Sequence, residues 1–137
     1  MLTKLKSVCG TAALAVAATA LPAAAHHSAA MFNHEELVEV DGVVKEFQYT
    51  NPHSWLIVEV TAEDGSTTLW GFEAEGPSTL MRAGIRKSML PPGTAIHLRG
   101  NPMRDGRPAA AWVDGTLEDG TVINPRNGFA VIPAGSE

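Results

Sequence analysis

The sequence predicts a mainly β fold: a five-stranded OB-like barrel with one short helix, ordered β-β-β-α-β-β. Three observations lead there. Apolar and polar residues alternate through five separate runs, the period of a strand with one buried face. Asp-Gly and Pro-Gly pairs punctuate the runs as turns. A single change to helical chemistry falls between the third and fourth runs, the position of the helix that plugs an OB-type barrel. An open antiparallel sheet or roll of the same strands is the alternative, and closure is favoured because it removes exposed edges.

The elements follow in order. Strand one is expected over residues 37–49, with Gly42 inside it as the mark of a bulged or coiled strand able to serve two sheets. Tyr49-Thr50-Asn51-Pro52-His53-Ser54-Trp55 joins it to strand two, residues 55–61, with Asn-Pro as turn chemistry. Asp64-Gly65 turns the chain into strand three, residues 67–74, which carries Trp70-Gly71-Phe72. A short helix is expected over residues 76–84, with Pro77 or Ser78 in its first turn and Gly84 as its stop. Residues 85–90 form a further turn before Pro91-Pro92-Gly93. Strands four and five are expected over residues 94–100 and 109–117, and residues 119–125 as a short hairpin arm. The body of the domain thus spans residues 37–124, with a loose tail over 125–137.

The first 25 of the 137 residues read as a secretory signal peptide: Lys4 and Lys6, an apolar run from Ala12 to Leu21, then Ala23-Ala24-Ala25 for cleavage. The run is too short to span a membrane, and no later stretch is long and apolar enough. A periplasmic or secreted location is therefore expected. Cleavage after Ala25 removes the one cysteine, Cys9, so the remaining 112 residues carry no disulfide and rely on packing for stability. It also removes two lysines, taking the formal charge from −5 to −7. Such a chain repels phosphate backbones, which counts against nucleic acid and leaves cations, small molecules or an envelope protein as partners.

The same cleavage makes His26 the amino-terminal residue of an extended arm, residues 26–36, that Phe32 pins to the body. A free amine beside a ring nitrogen chelates one metal, and a further imidazole from His27 or His53 completes a nitrogen set suited to copper, ahead of zinc. Cleavage after Ala24 would place His27 third from the amine, an arrangement that also wraps copper or nickel. A solvated arm whose histidines bind nothing is the plain alternative. His53 has its own, a ring bonded to local backbone in the turn. His97 alternates with Ile96 and Leu98 and should face away from them; His34, beside Glu35 and Glu36, reads as solvated.

Asn51, Trp55, Trp70 and Glu73 are the candidate ligand-binding residues. Trp55 stands at the mouth of the turn, and OB-type barrels carry aromatic binding surfaces on strands two and three. Core packing is the competing role for Trp55, Trp70 and Trp112. No catalytic constellation is recognised. The chain has no Gly-x-Ser-x-Gly elbow and no phosphate loop, and Ser28 and Ser54 follow histidines whose strand neighbours point to opposite faces.

His26-His27-Ser28 after an alanine-rich cleavage site, with Asn51-Pro52-His53-Ser54-Trp55 beyond it, resembles a family of small exported bacterial proteins catalogued as a domain of unknown function. Trp70-Gly71-Phe72-Glu73, Gly76-Pro77-Ser78, Leu90-Pro91-Pro92-Gly93 and Asn101-Pro102-Met103-Arg104-Asp105-Gly106 fit the same pattern. Ile85 departs from it, standing where a Trp is expected. The resemblance implies export and a compact β fold, and brings no activity. The sequence reading is thus an exported binding or accessory module, with copper held by His26, His27 and His53; a metal-free protein-interaction module of the envelope is the second hypothesis.

Overall fold

The computed structural model describes residues 30–126 and 130–136. Within them the chain runs β1 (Val38–Gln48), β2 (His53–Thr61), β3 (Thr67–Glu75), α1 (Pro77–Arg82), a 3-10 turn (Lys87–Met89), β4 (Ala95–Pro102), β5 (Ala109–Leu117), β6 (Val122–Asn124) and β7 (Ala130–Ile132). The sheet order is β3-β2-β1-β4-β5-β6-β7, and a parallel pairing of β3 with β5 at Gly71–Glu73 and Ala109–Ala111 closes the first five strands into a barrel. The fold is the expected OB-like barrel with its helix between β3 and β4; the open-sheet alternative is excluded by that closing pair.

β1 serves two partners within one sheet rather than two sheets. Its first half, Val38 to Val43, pairs with β4, and its second half, Val43 to Gln48, pairs with β2. The register slips between Val44 and Glu46, a bulge that lets one strand bend from one neighbour to the other. Gly42 sits where a Cβ would lie 3.1 Å from both the Glu59 carbonyl and the Val58 side chain, so its small size serves the strand crossing.

Val44, Phe47, Leu56, Val58, Phe72, Leu98, Ala110 and Trp112 fill the interior together with Leu80 of α1. The helix acts as a plug because Leu80 is its one fully buried residue and Gly84, at φ 78°, turns the chain out of it. Ile85 is fully buried beside it. Phe47 meets Trp112 edge-on at 6.2 Å and Tyr49 at 5.2 Å. Gly100 is the tightest point of the wall. A Cβ there would fall 2.7 Å from the Ala110 Cβ and 2.8 Å from the Ala111 carbonyl, so β4 and β5 can approach only because it is absent.

Two features lie outside the sequence reading. β2 begins at His53, so His53 and Ser54 belong to the strand rather than to the turn. β7 forms within the stretch read as tail, pairing Val122, Ile123 and Asn124 with Ile132, Val131 and Ala130. Three-residue strands carry too little alternation to be seen in sequence, and these form because Ile123 and Val131 pack against the core.

Candidate functional site

Alternation along the barrel strands places Leu56, Phe72, Ala110 and Trp112 inside and their neighbours outside. Strand register then assembles an exterior row: Trp55 opposite Glu73, Glu73 opposite Ala111, and Ala111 opposite Asn101. These four residues come from β2, β3, β5 and β4, and no two of the four are close in sequence. One step along β2, His53 lies opposite Glu75 and diagonal to Glu73.

The His53–Glu73 contact is one polar feature of this row. His53 Nδ1 stands 3.1 Å from Glu73 Oε1. Glu73 is only 7% exposed, whereas about a quarter of the His53 side chain is open to solvent. The carboxylate lies beside Nδ1, and Nε2 is the ring nitrogen away from that contact. Ser54, the next residue, is fully buried on the opposite face, and its hydroxyl donates to the Thr50 carbonyl at 3.5 Å. No Ser-His dyad forms there, for the alternation reason the sequence supplied.

The turn before His53 is braced from both sides. Asn51-Pro52 is a cis peptide. Asn51 is exposed, and its Oδ1 lies where a Cβ on Gly76 would come within 2.8 Å, so the start of α1 is shaved back to admit the turn. The Tyr49 hydroxyl donates to the Ile85 carbonyl at 2.7 Å and lies 3.3 Å from the Pro77 carbonyl. Burial raises the Tyr49 phenol above its ordinary pKa, with the Arg86 charge offsetting part of the effect.

The described part of the amino-terminal arm lies across the same row. Phe32 is 2% exposed, bridges to Met103, and forms a satellite cluster with Met103 and Ala111 against which Trp55 and Ala109 pack. Asn33 N–H donates to the Pro102 carbonyl at 2.8 Å, and Arg104 N–H to the Met31 carbonyl at 2.9 Å. Asn101, itself buried, donates from Nδ2 to the Glu36 carbonyl at 2.7 Å and accepts at Oδ1 from Arg126 at 3.1 Å; His34 Nδ1 lies 3.4 Å from the same oxygen. Phe32 therefore pins the arm as expected. Asn101 and Met103 were missed as partners because only strand register brings them beside residues 32–36.

The structure separates the remaining candidates. Trp55 lies on the exterior, half-buried under the arm; Trp70 packs on the inner side, stacked 6.2 Å from Phe72; Trp112 is fully buried. Trp70 is thus partly buried against the core rather than in the row with Trp55. His97 faces outward as expected, with Nδ1 2.8 Å from Asp41 Oδ1. His26, His27 and Ser28 lie outside the described residues. Among the described residues no three His, Cys, Asp or Glu side chains converge as a metal site, and no helix is long and apolar enough to cross a membrane.

Comparison with known proteins gives one match: the model of a family of unknown function, DUF6152, aligns with residues 13–112, a span that includes the arm, the cis turn and the exterior row. No curated protein and no solved structure matches.

Proposed function

This chain belongs to the DUF6152 family, and we propose that it is an exported, periplasmic binding module that holds one copper ion at its processed amino terminus and His53. The observation carrying this reading is the His53–Glu73 pair. A carboxylate 3.1 Å from one ring nitrogen is placed to orient the imidazole and leave the other nitrogen for a ligand. Glu73, chosen from sequence as a ligand contact, takes the orienting role here.

Chain geometry supports the arm as the source of the other ligands. Phe32 is fixed beside Trp55, and His53 lies two residues from Trp55, ~7 Å along β2. His27 lies five positions before Phe32, with four residues between them, a reach of up to ~17 Å. The amine and ring of His26, with His27 as a further donor, lie within that reach and give the nitrogen set that Cu(II) prefers. Asn51 and Trp55 then form the polar and apolar borders of the site.

Intact-mass analysis of protein exported by its own leader, followed by copper(II) titration of the same material, tests the reading. The expected result is a chain beginning at His26, one copper per chain, and weaker binding in both His26→Ala and His53→Ala. Glu73→Gln should lose about 10- to 100-fold in affinity with His53 still present. Binding that ignores His53→Ala, or a retained leader, overturns it and leaves the metal-free envelope interaction module as the better account.

A further inference from the structure

A groove of about 290 Å³ opens between β1, β4 and β5, and none of its lining residues belongs to the row that carries His53. Ala95, Ile96 and Leu117 supply an apolar floor, and Asp41, His97 and Glu118 a polar wall. Ile96 is buried and Leu117 packs on the core, so the floor is part of the barrel itself and is fixed by its closure. The wall is ordered too. His97 Nδ1 is held by Asp41 at 2.8 Å, and its Nε2 lies 3.7 Å from Glu39 Oε2. Asp41 from β1 and Glu118, just past the end of β5, thus flank one concavity as largely exposed carboxylates.

The chemistry selects the ligand. Anions are repelled by Asp41, Glu39 and Glu118 together with the net charge of the chain. A bare metal ion is disfavoured because no three ligating side chains converge among the described residues. What fits is a charged head that accepts carboxylate contacts and a short apolar body that covers the floor, in a groove at the small end of ligand-site volumes. We propose that this groove binds a primary ammonium group on a short aliphatic chain, with Asp41 and Glu118 facing the ammonium and Ala95, Ile96 and Leu117 facing the methylenes. A free alkylamine and a lysine side chain share that chemistry.

Amide-shift titration of the full chain by NMR, with n-butylammonium, a capped Gly-Lys-Gly tripeptide and neutral 1-butanol as probes, tests the proposal. Saturable shifts at Asp41, His97 and Glu118 with butylammonium, and none with butanol, are expected. Loss of either carboxylate, in Asp41→Asn or Glu118→Gln, should weaken binding about threefold, and loss of both about tenfold, the scale of partly exposed charge pairs. The tripeptide decides the source: binding as tight as butylammonium assigns a lysine side chain, and weaker binding a free amine. Equal shifts with butanol, or a double variant that binds butylammonium like the parent, overturn the proposal. Because no residue is shared with the copper site, either outcome leaves that reading to its own test.

Discussion

Replacing Phe32 by Ala should release the arm and leave the barrel folded. A buried Phe removes ~200 Å² from water, which at about 25 cal/mol per Å² stabilises the docked arm by ~5 kcal/mol. The backbone bonds at Asn33 and Arg104 and the Asn101 bond to Glu36 contribute about 1 kcal/mol each. Ordering residues 31–36 opposes them at about 1 kcal/mol per residue. The difference is ~2 kcal/mol in favour of docking, a population ratio of about 30 to 1. Truncation to Ala removes ~3 kcal/mol, enough to invert that ratio. Hydrogen exchange is the assay: the Asn33 and Arg104 amides should lose protection while the β1–β2 and β4–β5 ladders keep theirs. Trp55 emission should shift to the red as its cover departs. The barrel's melting temperature should fall by less than the 12 °C or more that a core loss of that size would bring in a domain of ~100 residues. Unchanged protection at both amides, or their exchange only with the whole barrel, would refute the separable-arm argument.

Two further predictions concern the barrel and its turns. Gly100→Ala should cost about 3 kcal/mol or more, since the new methyl meets the Ala111 carbonyl at 2.8 Å and backbone must move; a melting temperature within a few degrees of the parent would show that β4 and β5 can separate cheaply. Asp64 accepts from both the hydroxyl and the amide of Ser66, and Asp105 and Asp119 accept turn amides from Arg107 and Thr121, which holds all three carboxyls below the ordinary range. Depressed carboxyl pKa values mean the turns are supported above the unfolded-state value and lose that support as pH falls through the lower folded values. The Ser66, Arg107 and Thr121 amide shifts should therefore titrate with midpoints below about 3.9; midpoints at or above it contradict the assignment.

Local chemistry decided much of this protein. The alternation in residues 37–61, the Asp-Gly turn at Asp64, the helix stop at Gly84 and the outward side of His97 follow from periods and dihedral preferences that a few consecutive residues express. So does the use of Phe32 as an anchor, since a lone large aromatic in a polar arm has nowhere else to hide. What no local signal contains is register. Opposing Trp55 to Glu73, Glu73 to Ala111 and Ala111 to Asn101 requires three strand pairings, one of them the parallel β3–β5 contact that closes the barrel. The burial of Glu73 and the apolar seat under Phe32 depend on that closure, and the groove beside His97 on the β1–β4 and β4–β5 registers. A carboxylate near the end of a strand becomes buried once β5 pairs beside it. Sequence fixes which residues alternate; only the closed sheet decides which of them meet.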